Sequence, residues 1–156
     1  MTVASRISRR SLLATGAASL AIPTLITALT GKAGAQEGAA MRLRFTFADQ
    51  VFTATLENTA PARDLFSVLP LDLKISDYAD NEKIAYLPRK LSDDGSSRIS
   101  NEAVGDLCYY APWGNLVMFY APYRWSRGLI RLGRLDGGIA PLMVRGEFPL
   151  HAEALS

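Results

Sequence analysis

Seven aromatic side chains lie within 17 positions of the sequence, and they are the residues best suited to binding chemistry. They are Tyr109, Tyr110, Trp113, Phe119, Tyr120, Tyr123 and Trp125. Aromatic rings offer a large apolar surface, and they line binding pockets as well as cores. Alternate side chains of a strand face opposite ways, so Tyr109 and Tyr110 are expected on opposite faces. One set should fill a core, and the other should face a groove, a helical plug or solvent.

Arginines near these rings could donate hydrogen bonds at the rim of a groove. Arg89, Arg124 and Arg127 are the candidates, and a groove of this composition suits an extended peptide or a small acidic ligand. Trp113 and Trp125 fall in predicted turns or loops, where packing explains them less well. The candidate ligand-binding residues are therefore Tyr86, Arg89, Tyr109, Trp113, Phe119, Tyr120, Trp125 and Arg127. The alternative is that the rings pack the core and cover the ends of a barrel.

The remaining reactive residue types do not suggest catalysis or metal binding. His151, the only histidine, has no predicted partner and is expected at the surface or in a tail. Cys108, the only cysteine, has no nearby histidine and cannot form an intramolecular disulfide, so a buried structural role is favoured. Asp93 and Asp94 lack the ligand spacing of a calcium loop. We therefore expect no metal and no cofactor.

Hydrophobic periodicity predicts mostly short strands around these residues. Alternation or β-rich composition predicts strands at 41–47, 51–57, 71–76, 83–88, 105–111, 115–121, 128–135 and 144–150. A short helix is predicted over 60–68, capped by Asn58 or Thr59, and a helical turn over 139–143. Many short strands with Gly and Pro turns indicate a closed or nearly closed barrel around one core.

The N-terminus has the composition of an export signal. Arg9 and Arg10 directly precede a weakly apolar run, and Ala33-Gly34-Ala35 fits a cleavage pattern. The pair with its following leucines resembles the twin-arginine consensus. We therefore expect a signal peptide over 1–35 with cleavage after Ala35, a flexible start over 36–40, and a single domain over 41–156 in the periplasm or otherwise exported. The alternative is a retained membrane anchor, which the shortness of the run and Pro23 disfavour.

The charge of the expected mature protein excludes one class of partner. Four of the 17 basic residues and none of the 15 acidic residues lie in 1–35. The remainder carries 13 basic and 15 acidic residues and a net charge of −2. Without a basic patch, nucleic acid is not expected as a partner. The export machinery and a small ligand or extended peptide are the expected partners, and the mature form should have no stable membrane span.

Four stretches together resemble the cyclophilin-like domain family of divergent bacterial and archaeal proteins. The stretches are LDLKISDYADNEKI from Leu71, YLPRK from Tyr86, GDLCYYAPWGNLVMFY from Gly105 and GLIRLGRLD from Gly128. The resemblance implies a small, closed, eight-stranded β-barrel with one or two short helices. It does not by itself imply prolyl isomerase activity.

The isomerase chemistry of classical cyclophilins depends on a fixed arginine beside an apolar proline pocket. In the family this arginine lies in a strand that is followed by a phenylalanine and a Gln-Gly pair. The matching region, 71–90, does not contain that pattern. The sequence therefore favours an exported ligand- or peptide-binding barrel without an intact isomerase site. The alternatives are a periplasmic peptidyl-prolyl isomerase and a structural or interaction module without a pocket.

Overall fold

The computed structural model describes residues 39–156, which form eight strands, one α-helix and one 3₁₀ turn. The strands are β1 Arg42–Phe47, β2 Gln50–Leu56, β3 Leu71–Tyr78, β4 Glu82–Tyr86, β5 Asp106–Tyr110, β6 Asn115–Phe119, β7 Leu129–Leu135 and β8 Phe148–Leu155. The helix α1 spans Ala60–Ser67, and the 3₁₀ turn spans Ala140–Met143.

The eight strands close into one antiparallel barrel. Their order around the barrel is β1-β2-β7-β5-β6-β4-β3-β8, and β8 pairs with both β1 and β3. Closure satisfies the backbone hydrogen-bonding groups that an open sheet would leave at its edges. The predicted fold class, a closed eight-stranded barrel with short helices, is confirmed.

The two faces of each strand separate as the alternation predicts. In β5, Leu107 and Tyr109 point into the main core, whereas Cys108 packs in a second cluster outside the barrel. In β6, Leu116 joins the main core and Val117 joins the outer cluster. Burying a large side chain of this kind stabilises a fold by about 1.5–3 kcal/mol. The interior is thus filled by side chains, and the outer face of β4, β5 and β6 carries a separate apolar layer.

Helix α1 begins where the sequence places it. The Thr59 hydroxyl oxygen accepts a hydrogen bond from the backbone N–H of Ala62 at 3.4 Å, which satisfies one free donor of the first turn. Pro61 lies in that turn, where it has no hydrogen bond to lose. Ala62 and Leu65 bury their side chains in the main core, so the amphipathic pattern docks the helix on the barrel.

The last strand differs from its prediction. It runs over 148–155 instead of 144–150, because residues 150–155 pair with β1 along its whole length. This strand places His151 opposite Asp72 of β3, with His151 Nδ1 and Asp72 Oδ1 2.7 Å apart. His151 lies at the surface, as expected, but the expectation that it has no partner is corrected, since a long-range strand pairing supplies one.

The predicted export segment, 1–35, and its cleavage after Ala35 lie outside the described residues. Within 39–156, no helix is long and apolar enough to cross a membrane.

Candidate functional site

The outer face of the barrel between β3 and β5 carries the candidate site. Cross-strand pairing aligns Tyr78 of β3 with Glu82 of β4 and Phe119 of β6 in one row. A parallel row aligns Tyr86 with Asn115 and Tyr110. Between these rows, Ile84, Val117 and Cys108 form an apolar floor. Strand pairing thus gathers polar and aromatic side chains around a buried patch outside the barrel.

A cavity of about 320 Å³ lies on this face, and we call it the outer cavity. It is lined by Tyr78, Asn81, Glu82, Tyr110, Trp113, Asn115, Val117, Phe119, Tyr123, Arg124, Ser126 and Leu129. Five of these residues are aromatic, so the walls offer apolar surface and ring faces together. The cavity combines residues of the five strands β3 to β7 with the turn between β5 and β6 and the loop that follows β6.

Trp113 joins two strands across the outer cavity. Its ring meets Tyr78 edge-on with centroids 5.3 Å apart, and Tyr110 edge-on at 5.4 Å. Gly114, at φ +73°, makes the tight turn that presents Trp113, since this conformation strains other residues. The Trp113 side chain remains 46% exposed, so part of its surface is available to a ligand.

Asn115 lines the outer cavity, and its side chain has an unsatisfied hydrogen-bond acceptor that is itself buried. The residue is only 1% exposed, and its amide nitrogen donates to the Leu116 carbonyl at 3.0 Å. Its Oδ1 atom has no hydrogen-bond partner among the described residues. Leaving a buried polar atom unpaired costs about 1–3 kcal/mol. An acceptor kept at this cost marks a position where a bound molecule could donate a hydrogen bond.

Glu82 contributes a partly buried carboxyl group to the same cavity. Removal from water raises the pKa of the Glu82 carboxyl to about 7, because the ionised form loses hydration. No ion pair compensates this carboxyl within residues 39–156. Its cross-strand neighbours, Tyr78 and Phe119, are uncharged. The group therefore changes charge near neutral pH.

A buried aspartate holds the loop that forms one wall. Asp106 is fully buried, and its carboxylate accepts hydrogen bonds from Tyr123 Oη at 2.7 Å, Arg134 Nε at 2.8 Å and the Ala103 N–H at 3.0 Å. Burial and the bond to Asp106 raise the pKa of Tyr123, so this phenol stays a donor. The Tyr123 ring stacks on Phe119 with centroids 3.6 Å apart. The loop after β6 is thus fixed over the outer cavity.

Two of the sequence-predicted site residues, Trp113 and Phe119, line the outer cavity. Tyr109 and Tyr120 are buried in the main core instead. The Tyr109 hydroxyl accepts from the Leu91 N–H at 3.1 Å, and the Tyr120 hydroxyl accepts from Arg145. Neither ring lines the outer cavity, since both pack in the barrel interior.

The other predicted residues lie away from this lining. Arg89 forms a two-bond ion pair with Asp64 of α1, with N···O distances of 2.6 and 3.0 Å, so it ties the helix to the following loop instead of serving as a free donor. Trp125 donates its ring N–H to the Leu129 carbonyl at 3.0 Å and packs against the outer cluster. Tyr86 and Arg127 are exposed outside the lining.

Sequence reasoning missed Tyr78, Glu82 and Asn115. The strand alternation contains the signal for Glu82, which shares its outward face with Ile84 and Tyr86. Asn115 directly follows a turn, where asparagine is common for local reasons. Its burial depends on both neighbouring strands, and no local pattern indicates that.

A second cavity, of about 220 Å³, lies beneath the loop 95–101. Two of its charged lining residues pair with protein groups: Arg131 Nε binds Glu57 at 2.6 Å and Arg131 Nη1 binds the Asn101 side chain at 2.9 Å. The third, Arg98, lies over the Trp125 ring, 5.2 Å from its centroid. The outer cavity, in contrast, contains the unpaired Oδ1 atom of Asn115 and the Glu82 carboxyl group, which forms no ion pair within residues 39–156. Across residues 39–156, no three His, Cys, Asp or Glu side chains cluster as a metal site.

The protein is a closed antiparallel β-barrel that carries an apolar layer and a cavity on its outer face. A model of the Cyclophilin-like family matches residues 45–153, and the chain belongs to this family. The solution structure of a hypothetical protein from Archaeoglobus fulgidus is similar, with a TM-score of 0.61 and 18% identity over 76% of this chain and 98% of that one. This likeness supports the fold alone. No curated protein matches the chain.

Proposed function

We propose that this protein binds a small ligand, or a short part of an extended peptide, in the outer cavity. The observation that carries the proposal is a single cavity that combines five aromatic rings with the unpaired Oδ1 atom of Asn115. Binding sites are mainly apolar concavities with a few polar groups that fix orientation. The outer cavity has both components.

The size of the outer cavity limits what it can hold. Its volume of about 320 Å³ is at the lower end of the range for ligand sites, roughly 300–1,000 Å³. Such a space fits one ring system or one or two side chains of a peptide. The partly exposed Trp113 would cover one side of the bound group.

A fragment screen by ligand-observed NMR tests this proposal, using small aromatic compounds and short proline peptides. Trp113→Ala should weaken the binding of hits by about tenfold, since a buried aromatic contact contributes on the order of 1–2 kcal/mol. Val51→Ala is the matched control, because Val51 is an exposed hydrophobic residue on β2, outside the lining. Equal loss in both variants, or no hits at all, would remove the proposal.

A second candidate function is prolyl isomerisation, and one observation favours it. Arg124 lines the same aromatic cavity, and an arginine beside an apolar pocket can stabilise a twisted prolyl amide. A protease-coupled assay on an Ala-Pro peptide checks this candidate. Turnover that Arg124→Ala abolishes would favour isomerase activity, whereas a rate equal to the uncatalysed reaction would exclude it for that peptide.

We also propose that the protein is exported by the twin-arginine route. The support is the Arg9-Arg10 pair, the weakly apolar run after it and the small residues before Gln36. Replacing both arginines with lysine should leave the precursor in the cytoplasm, as measured by fractionation and immunoblotting. Unchanged export of this variant would contradict the route.

A further inference from the structure

We propose that the ligand of the outer cavity carries a protonated amine, which the Glu82 carboxylate and the surrounding aromatic rings recognise. This inference rests on the proposed binding function and specifies the chemical class of the ligand. It favours an organic cation over the acidic ligand that the nearby arginines suggest. Three features of the cavity support it: the charge of Glu82, the acceptor on Asn115 and the ring faces.

The carboxylate of Glu82 has no counter-ion among residues 39–156. The groups that face it are Tyr78 from β3 and Phe119 from β6, and both are uncharged. The neighbouring Lys83 points to the opposite face of β4, where its ammonium group binds Asp77 at 2.8 Å. A ligand cation would stabilise a partly buried carboxylate of this kind, because its charge replaces the hydration that the carboxylate loses on burial.

The Asn115 side chain adds an independent requirement for a donor. The hydrogen bond from its amide nitrogen to the Leu116 carbonyl fixes the orientation of the amide, since the reverse orientation would place two oxygens together. The unpaired atom is therefore an acceptor. The ammonium group itself would bind Glu82, since Asn115 lies four residues further along the strands with Ile84 and Val117 between them. A second donor on the ligand, such as a hydroxyl or an amide N–H, would bind Asn115.

The aromatic walls of the outer cavity also favour an ammonium group. Tyr78, Tyr110 and Trp113 are in mutual contact on one side of the outer cavity. The face of an aromatic ring attracts a cation, and tryptophan does so most strongly. A ligand with an ammonium group, a second donor and an apolar body would therefore match both the rings and the acceptors.

One protein cation opposes this preference. Arg124 lines the outer cavity together with Glu82, but its side chain is exposed and makes no ion pair with Glu82. Solvent screens an exposed charge more than it screens the half-buried carboxyl. Replacing Arg124 with glutamine should therefore strengthen the binding of an ammonium ligand by a small factor, about two- to threefold.

Titration calorimetry on the full chain tests the inference with three probes that share one phenyl ring. The probes are 2-phenylethylamine, which is cationic at pH 8, neutral 2-phenylethanol and anionic 3-phenylpropanoate. At pH 8 the amine should bind at least tenfold more tightly than the alcohol, and the carboxylate more weakly than both. At pH 5.5, where Glu82 is largely protonated, the advantage of the amine should fall severalfold.

Glu82→Gln should remove the preference for the amine while leaving the shape of the cavity. Asp80→Asn is the control, because it removes an exposed carboxylate from the turn between β3 and β4 and should leave the preference intact. Equal or tighter binding of the alcohol or the carboxylate, no binding of any probe, or an amine preference that survives Glu82→Gln would overturn the inference. The proposed function is tested separately by the fragment screen: it fails if that screen finds no hits, or if Trp113→Ala and Val51→Ala weaken the binding of hits equally.

Discussion

Adjacent residues of β4 carry opposite charges in two different environments. Lys83 faces the barrel interior with no exposed surface, and its ammonium group binds Asp77, which also accepts the Gly146 N–H at 2.7 Å. Glu82 faces the outer cavity without a partner. A fold tolerates a fully buried charge only when it is paired. The paired lysine therefore serves structure, whereas the unpaired glutamate is the better candidate for a binding role.

The raised pKa of Glu82 predicts a pH-dependent stability. Its ordinary value is 4.5 and its value in the fold is about 7. The protonated form is the one the fold prefers, so the stabilisation is complete below pH 4.5 and is lost as the pH rises through 7. When the pH is raised from 5 to 8, the unfolding free energy of the wild type should fall by about 1–2 kcal/mol relative to that of Glu82→Gln. This figure is reduced because the carboxyl group is half-exposed and solvent screens it.

Urea denaturation of both proteins at pH 5 and pH 8 measures this difference. The other titrating groups are common to both proteins, so their contributions cancel. A difference in unfolding free energy that is the same at both pH values would contradict the assignment to Glu82.

The burial of Cys108 predicts an unreactive thiol. Burial raises the pKa of the Cys108 thiol to about 12, so the nucleophilic thiolate is scarce and also covered. We expect no modification of the native protein by N-ethylmaleimide over an hour at pH 7.5, and complete modification in 6 M guanidinium chloride. Intact-mass spectrometry provides the readout, and rapid labelling of the native protein would show that the outer apolar layer is open.

At the residue scale, the sequence predicts burial better than it predicts function. Strand alternation correctly separates Leu107 and Tyr109 from Cys108. It cannot say which face borders a cavity, and so it includes Tyr109 among the binding residues and omits Asn115. The difference depends on loops that cover the outer face, whose positions are set by contacts distant in the sequence.

Strands β2 and β7 approach too closely for any residue larger than glycine at position 133. A Cβ atom at Gly133 would lie 2.1 Å from the carbonyl oxygen of Thr55 and 2.8 Å from the Leu56 Cα. Since both contacts are with backbone, the strands would have to separate. We expect Gly133→Ala to lower the unfolding free energy by at least about 2 kcal/mol or to prevent folding.

Gly137→Ala is the matched control, because its added methyl group meets nothing within 4 Å. It should change stability by less than about 0.5 kcal/mol. Guanidinium denaturation followed by circular dichroism compares the variants. Equal stability of the two alanine variants would show that β2 and β7 do not pair as described.

The loop after β6 depends on Asp106. We expect Asp106→Asn to lower the unfolding free energy by about 2–3 kcal/mol, because it weakens the bonds to Tyr123 and Arg134 while Arg134 regains water. It should also accelerate the labelling of Cys108, which lies beneath this loop. Tyr123→Phe keeps the stacked ring and loses one hydrogen bond, so its cost should be about 1 kcal/mol.

Asp93→Asn, an exposed change in the loop before β5, is the control for this prediction. Thermal denaturation and the rate of Cys108 labelling are the two readouts. Labelling that stays as slow in Asp106→Asn as in the wild type would separate Asp106 from the position of the loop.

At the element scale, local signals predict the strands and helix, but not how far each strand extends. The start of α1 follows from Thr59 and Pro61, which act locally. The extent of β8 follows from pairing with β1, more than 100 positions earlier. Its polar residues after Leu150 resemble a tail until that partner is known. Non-local pairing therefore accounts for the misplaced boundary.

For the whole molecule, barrel closure places the candidate site outside the barrel. The interior is occupied by side chains such as Phe45, Leu107 and Leu116. The outer face carries the cavity, enclosed by β3 to β7 and the loop held by Asp106. The sequence predicts the closed barrel, because periodicity and family resemblance both depend on the core. It leaves the ligand open, since the ligand depends on a few outward-facing residues.

The most direct test of the central claim is a crystal structure of the protein soaked with a library of small aromatic amines, alcohols and proline dipeptides. We predict electron density for a bound compound in the outer cavity, in contact with Trp113 and with its polar group directed at Glu82 or Asn115. Bound compounds found only elsewhere, or a cavity that stays unoccupied throughout the library, would contradict the claim.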